Sequence, residues 1–218
     1  MKNSTLKKKL FIANTGLFLC FFLVIHLLGN LQLLLPEDVA REQFNWYSKM
    51  LSSNILIKII SWILYVSIMG HVVLALLITI KNKTASGKNY YYDKRNYASA
   101  WNSRNMGILG TILLLFLIIH FKDFWYVYQF TELPLDSNGH KDLYAIVVHS
   151  YSQFWYVLIY EISLVALGFH LLHGFFSASG TLGLYHPKYI KAVKIIGWVY
   201  TLIITGGFMA IPLYIYFK

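Results

Sequence analysis

Acidic residues are scarce in this chain: nine Asp and Glu stand against nineteen Lys and Arg in 218 residues, and charged residues together make up only 13%. That is too few to clothe a soluble domain, and with 57% hydrophobic residues the chain belongs to the membrane class. Cysteine occurs once, at Cys20 within an apolar run, which excludes a disulfide framework and any thiolate-bound cluster built by this chain alone. The short alternating segments of a membrane barrel are absent as well. The lysines before the first apolar run give it the look of a signal peptide, but the run is too long and lacks a small-x-small cleavage site, so it is expected to be a retained span.

What is there instead is five apolar runs of helix length, at residues 10–35, 55–80, 106–130, 154–177 and 192–217. A span needs about 20 mostly apolar residues, so the expected fold is an all-α membrane protein: one domain over residues 1–218, five transmembrane helices and small loops. The basic excess then has a position. Lys2, Lys7, Lys8 and Lys9 precede the first run, Lys81, Lys83, Lys88, Lys94, Arg95 and Arg104 lie between the second and third, and Lys188, Lys191 and Lys194 flank the start of the fifth. If five helices cross in turn, all of these fall on one side, and Glu37, Asp38, Glu42, Asp123, Glu132, Asp136 and Asp142 fall on the other. The positive-inside rule makes the first side cytoplasmic, with the N-terminus inside and the C-terminus outside. The charge therefore reports topology, with anionic lipid or a docked partner as secondary readings, and no nucleic acid is expected.

Five histidines fall inside the apolar runs: His26, His71, His120, His170 and His173. Ionisable groups at such depth are costly, face the bundle interior and mark functional paths. At about 1.5 Å per helical residue, His26 and His120 lie roughly 25 Å from the cytoplasmic boundary, while His71 and His170 lie in the inner half. Four helices thus supply two layers of two histidines. A bare zinc or copper ion asks for three or four close protein ligands, which are not placed for it. A haem ring brings four nitrogens of its own and needs only two axial ones, so two stacked b-type haems suit two such layers. Gly16 precedes His26 by ten residues and Gly110 precedes His120 by ten, gaps that either admit a flat macrocycle in the other layer or simply let helices pack. His170 and His173, three residues apart, point about 60° from each other and cannot both be ideal ligands of one iron.

The stretches "VIHLLGN", "IMGHVVLALLI", "SRNMGILGTILLLFLIIHFKDFW" and "GFHLLHGFFSASGTLGLYHPKY" together resemble the single-chain, five-helix, di-haem cytochrome b subunits that anchor succinate dehydrogenases and fumarate reductases. The resemblance covers helix count, topology and histidine order along essentially the whole chain. It implies that His26 and His120 ligate the outer haem iron and His71 and His170 the inner one, with the first four helices forming the haem-binding bundle. It further implies electron transfer between flavoprotein and iron–sulfur subunits on the cytoplasmic side and a quinone, menaquinone, in the membrane of a bacterium. Ser103 and Arg104 then stand where they can bond inner haem propionates, although Arg104 reads equally as a positive-inside anchor. The basic stretches 81–104 and 188–194 are the implied docking face, and Glu37 and Glu42 are quinone-site candidates on the resemblance alone.

Within the chain there is no Gly-x-Gly-x-x-Gly opening a strand–helix unit and no cysteine array, so flavin and clusters would have to come from partner subunits. Glu161, inside the fourth run, is either a proton-handling group or a snorkelling interfacial carboxylate. His140 and His149 lie in an aromatic outer segment expected to hold a short interfacial helix over the outer haem, with His149 at the surface. Two other readings compete: a cytochrome b subunit of a hydrogenase or formate dehydrogenase, and a small proton-coupled transporter without haem, against which the scarcity of buried carboxylates counts.

Overall fold

The computed structural model describes residues 2–85, 101–184 and 186–218. Lys88, Tyr90, Tyr91, Tyr92, Asp93, Lys94 and Arg95 of the basic loop lie outside the described residues. Among the described residues the fold is all-helical, and five helices are long and apolar enough to cross a membrane: Leu6–Leu34, Ile55–Asn82, Met106–Phe130, Phe154–Thr181 and Ile190–Phe217. Their outward faces are apolar, with Ile55, Trp62, Val66, Ile108 and Ile203 among the exposed large side chains, as a hydrocarbon environment requires.

In chain order the elements are α1 (Lys2–Asn30), α2 (Glu37–Ser53), α3 (Ile55–Ala85), α4 (Trp101–Arg104), α5 (Met106–His120), α6 (Val127–Phe130), α7 (Leu143–Tyr151), α8 (Phe154–Thr181) and α9 (Ile190–Phe217). A π-helical turn, Phe121–Tyr126, joins α5 to α6 within the third span. The fourth helix outruns the apolar stretch that announces it. Ser179 and Thr181 return their hydroxyls to Phe175 O (2.8 Å) and Ser177 O (2.9 Å), so polar residues extend the helix until Gly183, at φ +76°, turns the chain.

Side-chain contacts fix alternating directions. Phe11 lies against Gly70, Thr79 against Gly107, Trp101 against Phe169, and Phe154 against Tyr216, so each span runs opposite to the one before it. The first four close into a ring: α1 packs on α3, α3 on α5, α5 on α8, and α8 on α1. The fifth span, α9, lies against both α8 and α1, where Gly207 admits Leu27 so closely that a Cβ there would stand 2.8 Å from its Cδ2. The first and third spans, and likewise the second and fourth, are therefore diagonal partners across the ring.

A roof covers the end of the bundle far from the N-terminus. Its larger half, α2, falls where the sequence suggests only a loop; Pro36 at its N-cap and Glu37 and Asp38 in its first turn suit a helix start. α2 packs on α7, and the seam is a polar clamp. Asn45, fully buried, donates to Asp136 Oδ2 (3.1 Å) and Asp142 Oδ1 (3.0 Å) and accepts from the Tyr144 N–H (2.9 Å). Arg41 donates to the second oxygen of Asp142. Beneath the clamp sits the main hydrophobic core, including Leu27, Leu33, Phe44, Phe124, Tyr151 and Ile204.

Burial opposes charge on both carboxylates, yet the donors outweigh it: Arg41, Asn45 and the Ala145 N–H hold Asp142 below the usual carboxylate range, and the His140 N–H and Asn45 do the same for Asp136. A depressed folded-state pKa contributes stability above the unfolded value, about 3.9, that is lost as pH falls through the folded value. Acidification below about pH 4 should therefore loosen the roof, whereas the range from pH 5 to 8 should leave it unchanged. Hydrogen exchange of α2 and α7 measured against pH checks this.

Candidate functional site

The four spans of the ring each carry one of the expected histidines, and each diagonal brings two of them ring to ring. His26 of α1 and His120 at the end of α5 have ring centroids 5.7 Å apart at 87°; His71 of α3 and His170 of α8 are 6.3 Å apart at 62°. His170 is the fourth-span histidine that meets the His71 ring, and His173 stands one turn further along α8. Among the described residues the two rings of each pair exchange no hydrogen bond. Nor is any group of three or more His, Cys, Asp or Glu side chains among them placed to hold a metal ion.

Donor counting identifies which nitrogen carries the proton on two of the rings. Thr15 Oγ1 has one proton, committed to the Phe11 carbonyl (2.8 Å), so at 3.2 Å from His71 Nδ1 it accepts and that nitrogen is the N–H. Around His120 the same count runs through three groups. Tyr156 O–H donates to Asp123 Oδ2 (3.2 Å), which leaves Tyr160 O–H to donate to Tyr156 (3.3 Å), which leaves the Tyr160 oxygen to accept from His120 Nδ1–H (3.2 Å). Both histidines thus keep Nε2 as a lone-pair nitrogen. His26 Nδ1 is 3.5 Å from the Asn30 amide, too long to fix its tautomer, and His170 Nδ1 is buried with no hydrogen-bond partner among the described residues.

Metal–imidazole bonds are about 2 Å long, so imidazoles on opposite faces of one ion stand with ring centres about 6 Å apart. The two pairs, at 5.7 and 6.3 Å, meet that spacing, and either interplanar angle is allowed because each ring turns about its metal–nitrogen axis. An imidazole that ligates through one nitrogen while the other donates to a hydroxyl or carbonyl is the usual arrangement at metal centres. Two ligands with nothing further nearby suit a haem iron and not a bare ion. Of the two glycines, Gly110 borders open space, whereas a Cβ at Gly16 would stand 3.5 Å from His71 Cε1, in ordinary contact. The residues present fit the group.

Other expected residues lie as follows. Ser103 and Arg104 end α4, which packs on both α5 and α8 through Trp101 against Phe169, the neighbour of His170; Ser103 is exposed and Arg104 half-buried. Glu37 is exposed and lies 3.8 Å from the Lys218 ammonium, while Glu42 is exposed on the outer face of α2 beside Trp46 and His140. His149 is exposed on α7. Glu161 has a buried Oε1 with no hydrogen-bond partner among the described residues. Sequence reasoning missed Tyr156, Tyr160 and Asp123; a tyrosine pair four residues apart inside an apolar span is the signal that could have found them.

The family described as M penetrans paralogue family 26 (MpPF26) matches residues 54–125, about a third of the chain. The matched stretch takes in His71, Ser103, Arg104 and His120, one histidine from each pair. No curated protein and no solved structure matches the chain.

Proposed function

We propose that the chain is a membrane-anchoring cytochrome b subunit carrying two b-type haems, His26 with His120 in one layer and His71 with His170 in the other. The observation that carries the reading is the pair of diagonals: two histidines on opposed helices, ring to ring, in two layers, with no bond between them. Haem b, when bound, supplies a one-electron carrier. The chain's own part would be to hold the two groups with His26 and His120, and with His71 and His170, to keep Nδ1 of His71 and His120 protonated through Thr15 and Tyr160, and to exclude water with the roof.

In this reading the protein is the electron-transfer and quinone-reactive subunit of a succinate:quinone oxidoreductase of succinate dehydrogenase or fumarate reductase type, with menaquinone as its quinone. Flavoprotein and iron–sulfur subunits dock on the basic side that carries the N-terminus, and Ser103 and Arg104 are placed for propionates at the mouth of the third span. In the same reading that side faces the cytoplasm of a bacterial cell and the C-terminus lies outside, an orientation supported by the basic loops.

A proton-coupled carrier is the second reading, favoured by one observation: the hydrogen-bonded run His120–Tyr160–Tyr156–Asp123 is also a proton path. A dithionite-minus-oxidised spectrum with pyridine-haemochrome quantification separates the two. Two haems b per chain are expected in the wild type and in His173→Ala, and one in His170→Ala. A wild-type chain that takes up no haem, with haem supplied and partners intact, overturns the cytochrome reading and leaves the carrier.

A further inference from the structure

The two histidine pairs are not equivalent in what stands behind them. His120 Nδ1 heads a run of hydrogen bonds through Tyr160 and Tyr156 that ends on a carboxylate held 3.1 Å from the Lys122 ammonium. Among the described residues His170 Nδ1, in the other pair, is buried without a partner, and His71 meets only the Thr15 hydroxyl and the Ile12 backbone, with no carboxylate behind them. The local fold is built for this difference. Tyr156 and Tyr160 lie one turn apart on α8 with rings stacked at 4.9 Å, and the π-helical turn starts at the residue after His120 and carries Asp123. π turns inside α-helices are frequent at functional sites.

We infer that Tyr160 is a positioning residue for His120, and that the run Tyr160–Tyr156–Asp123 makes His120 the most electron-donating of the four imidazoles. The inference rests on the haem reading above and goes beyond it, because it predicts which haem is tuned and by what. A ligand imidazole whose N–H is pulled toward an acceptor is a stronger base toward its metal. Hydroxyl-to-hydroxyl bonds in a low-dielectric interior polarise one another, so the carboxylate at the end of the run strengthens the bond at its start. A more basic axial ligand favours the oxidised iron. The His26–His120 haem is thereby held at a lower midpoint potential than its ligands alone would give. The other haem has no such support.

The experiment is a potentiometric titration of the purified, haem-loaded protein, following the α-band of each haem, for wild type, Tyr160→Phe, Tyr156→Phe and Tyr200→Phe. Tyr200 is the control, since its hydroxyl bonds the Cys20 carbonyl in the same bundle and touches no histidine. Tyr160→Phe should raise the potential of one haem and leave the other where it was. Tyr156→Phe should move the same haem in the same direction by less, because the Tyr160 hydroxyl stays on His120 and only the run behind it is cut. Tyr200→Phe should move neither. If Tyr160→Phe costs the haem itself, Tyr156→Phe carries the test, as its product still leaves a hydroxyl on His120. Two haems in every variant with unmoved potentials overturn the inference and leave the cytochrome reading intact; absence of haem from the wild type overturns both.

Discussion

His26→Ala and His120→Ala should each leave one haem per chain with the same residual spectrum, and His71→Ala and His170→Ala should each leave the other. The expectation follows from the diagonals. An iron held by two axial imidazoles loses half its protein ligation when either is removed, and the bundle offers no third group nearby to replace it, since no larger cluster of metal-binding side chains exists among the described residues. Because the two pairs are made by different helices, loss of one haem need not unlink the other: α1 still packs on α8 and α3 on α5. Haem content should thus fall from two to one in each of the four variants, and their residual α-bands should sort them into two classes. The double variant His26→Ala with His120→Ala should match its single parents. If the residual spectra sorted instead as His26 with His71, or if any single variant lost both haems while keeping its helical circular dichroism, the pairing would be wrong.

The spans were legible in the sequence because hydropathy is a local property and a helix must satisfy its backbone whatever its neighbours do. Histidine depth was legible for the same reason, since a regular rise converts residue number into height; His26 and His120 meet as that counting expects. Azimuth around the helix was not legible. Nothing in "SRNMGILGTILLLFLIIHFKDFW" announces that α-helical geometry gives way to a π turn after His120, and the link from Asp123 to Tyr156 starts from within that turn. The α2 half of the roof failed to appear for a different reason. Residues 37–53 are polar and amphipathic beside runs that are almost wholly apolar, so the contrast reads as a loop, although Ala40 and Phe44, four apart, are the buried face of a helix. The partners of that face come from residues about one hundred positions away, which no local pattern encodes.

That remoteness makes Asn45 the most sensitive single position in the roof. Asn45→Ala should destabilise the protein by about 3 kcal/mol, within the range for breaking a buried charged hydrogen-bond network. Three groups lose one of their donors or their acceptor at once: the Asp136 carboxylate, the Asp142 carboxylate and the Tyr144 N–H. The side chains of Asp136 and Asp142 are only 3% and 2% exposed, so water cannot enter to replace the amide without opening the seam between α2 and α7. Arg41→Ala should cost less, about 1 kcal/mol, because the Arg41 side chain is 48% exposed and solvent reaches the bond it leaves. Thermal unfolding in detergent, followed by tryptophan fluorescence, should therefore rank wild type above Arg41→Ala and Arg41→Ala above Asn45→Ala. Gln43→Ala, on the exposed face of α2, should match the wild type. The gap between wild type and Asn45→Ala should narrow as pH falls below about 4, since protonating the two carboxylates removes from the wild type the same stabilisation that the substitution removes at neutral pH. A gap independent of pH would mean that Asn45 acts through packing alone and that the carboxylates do not hold the roof.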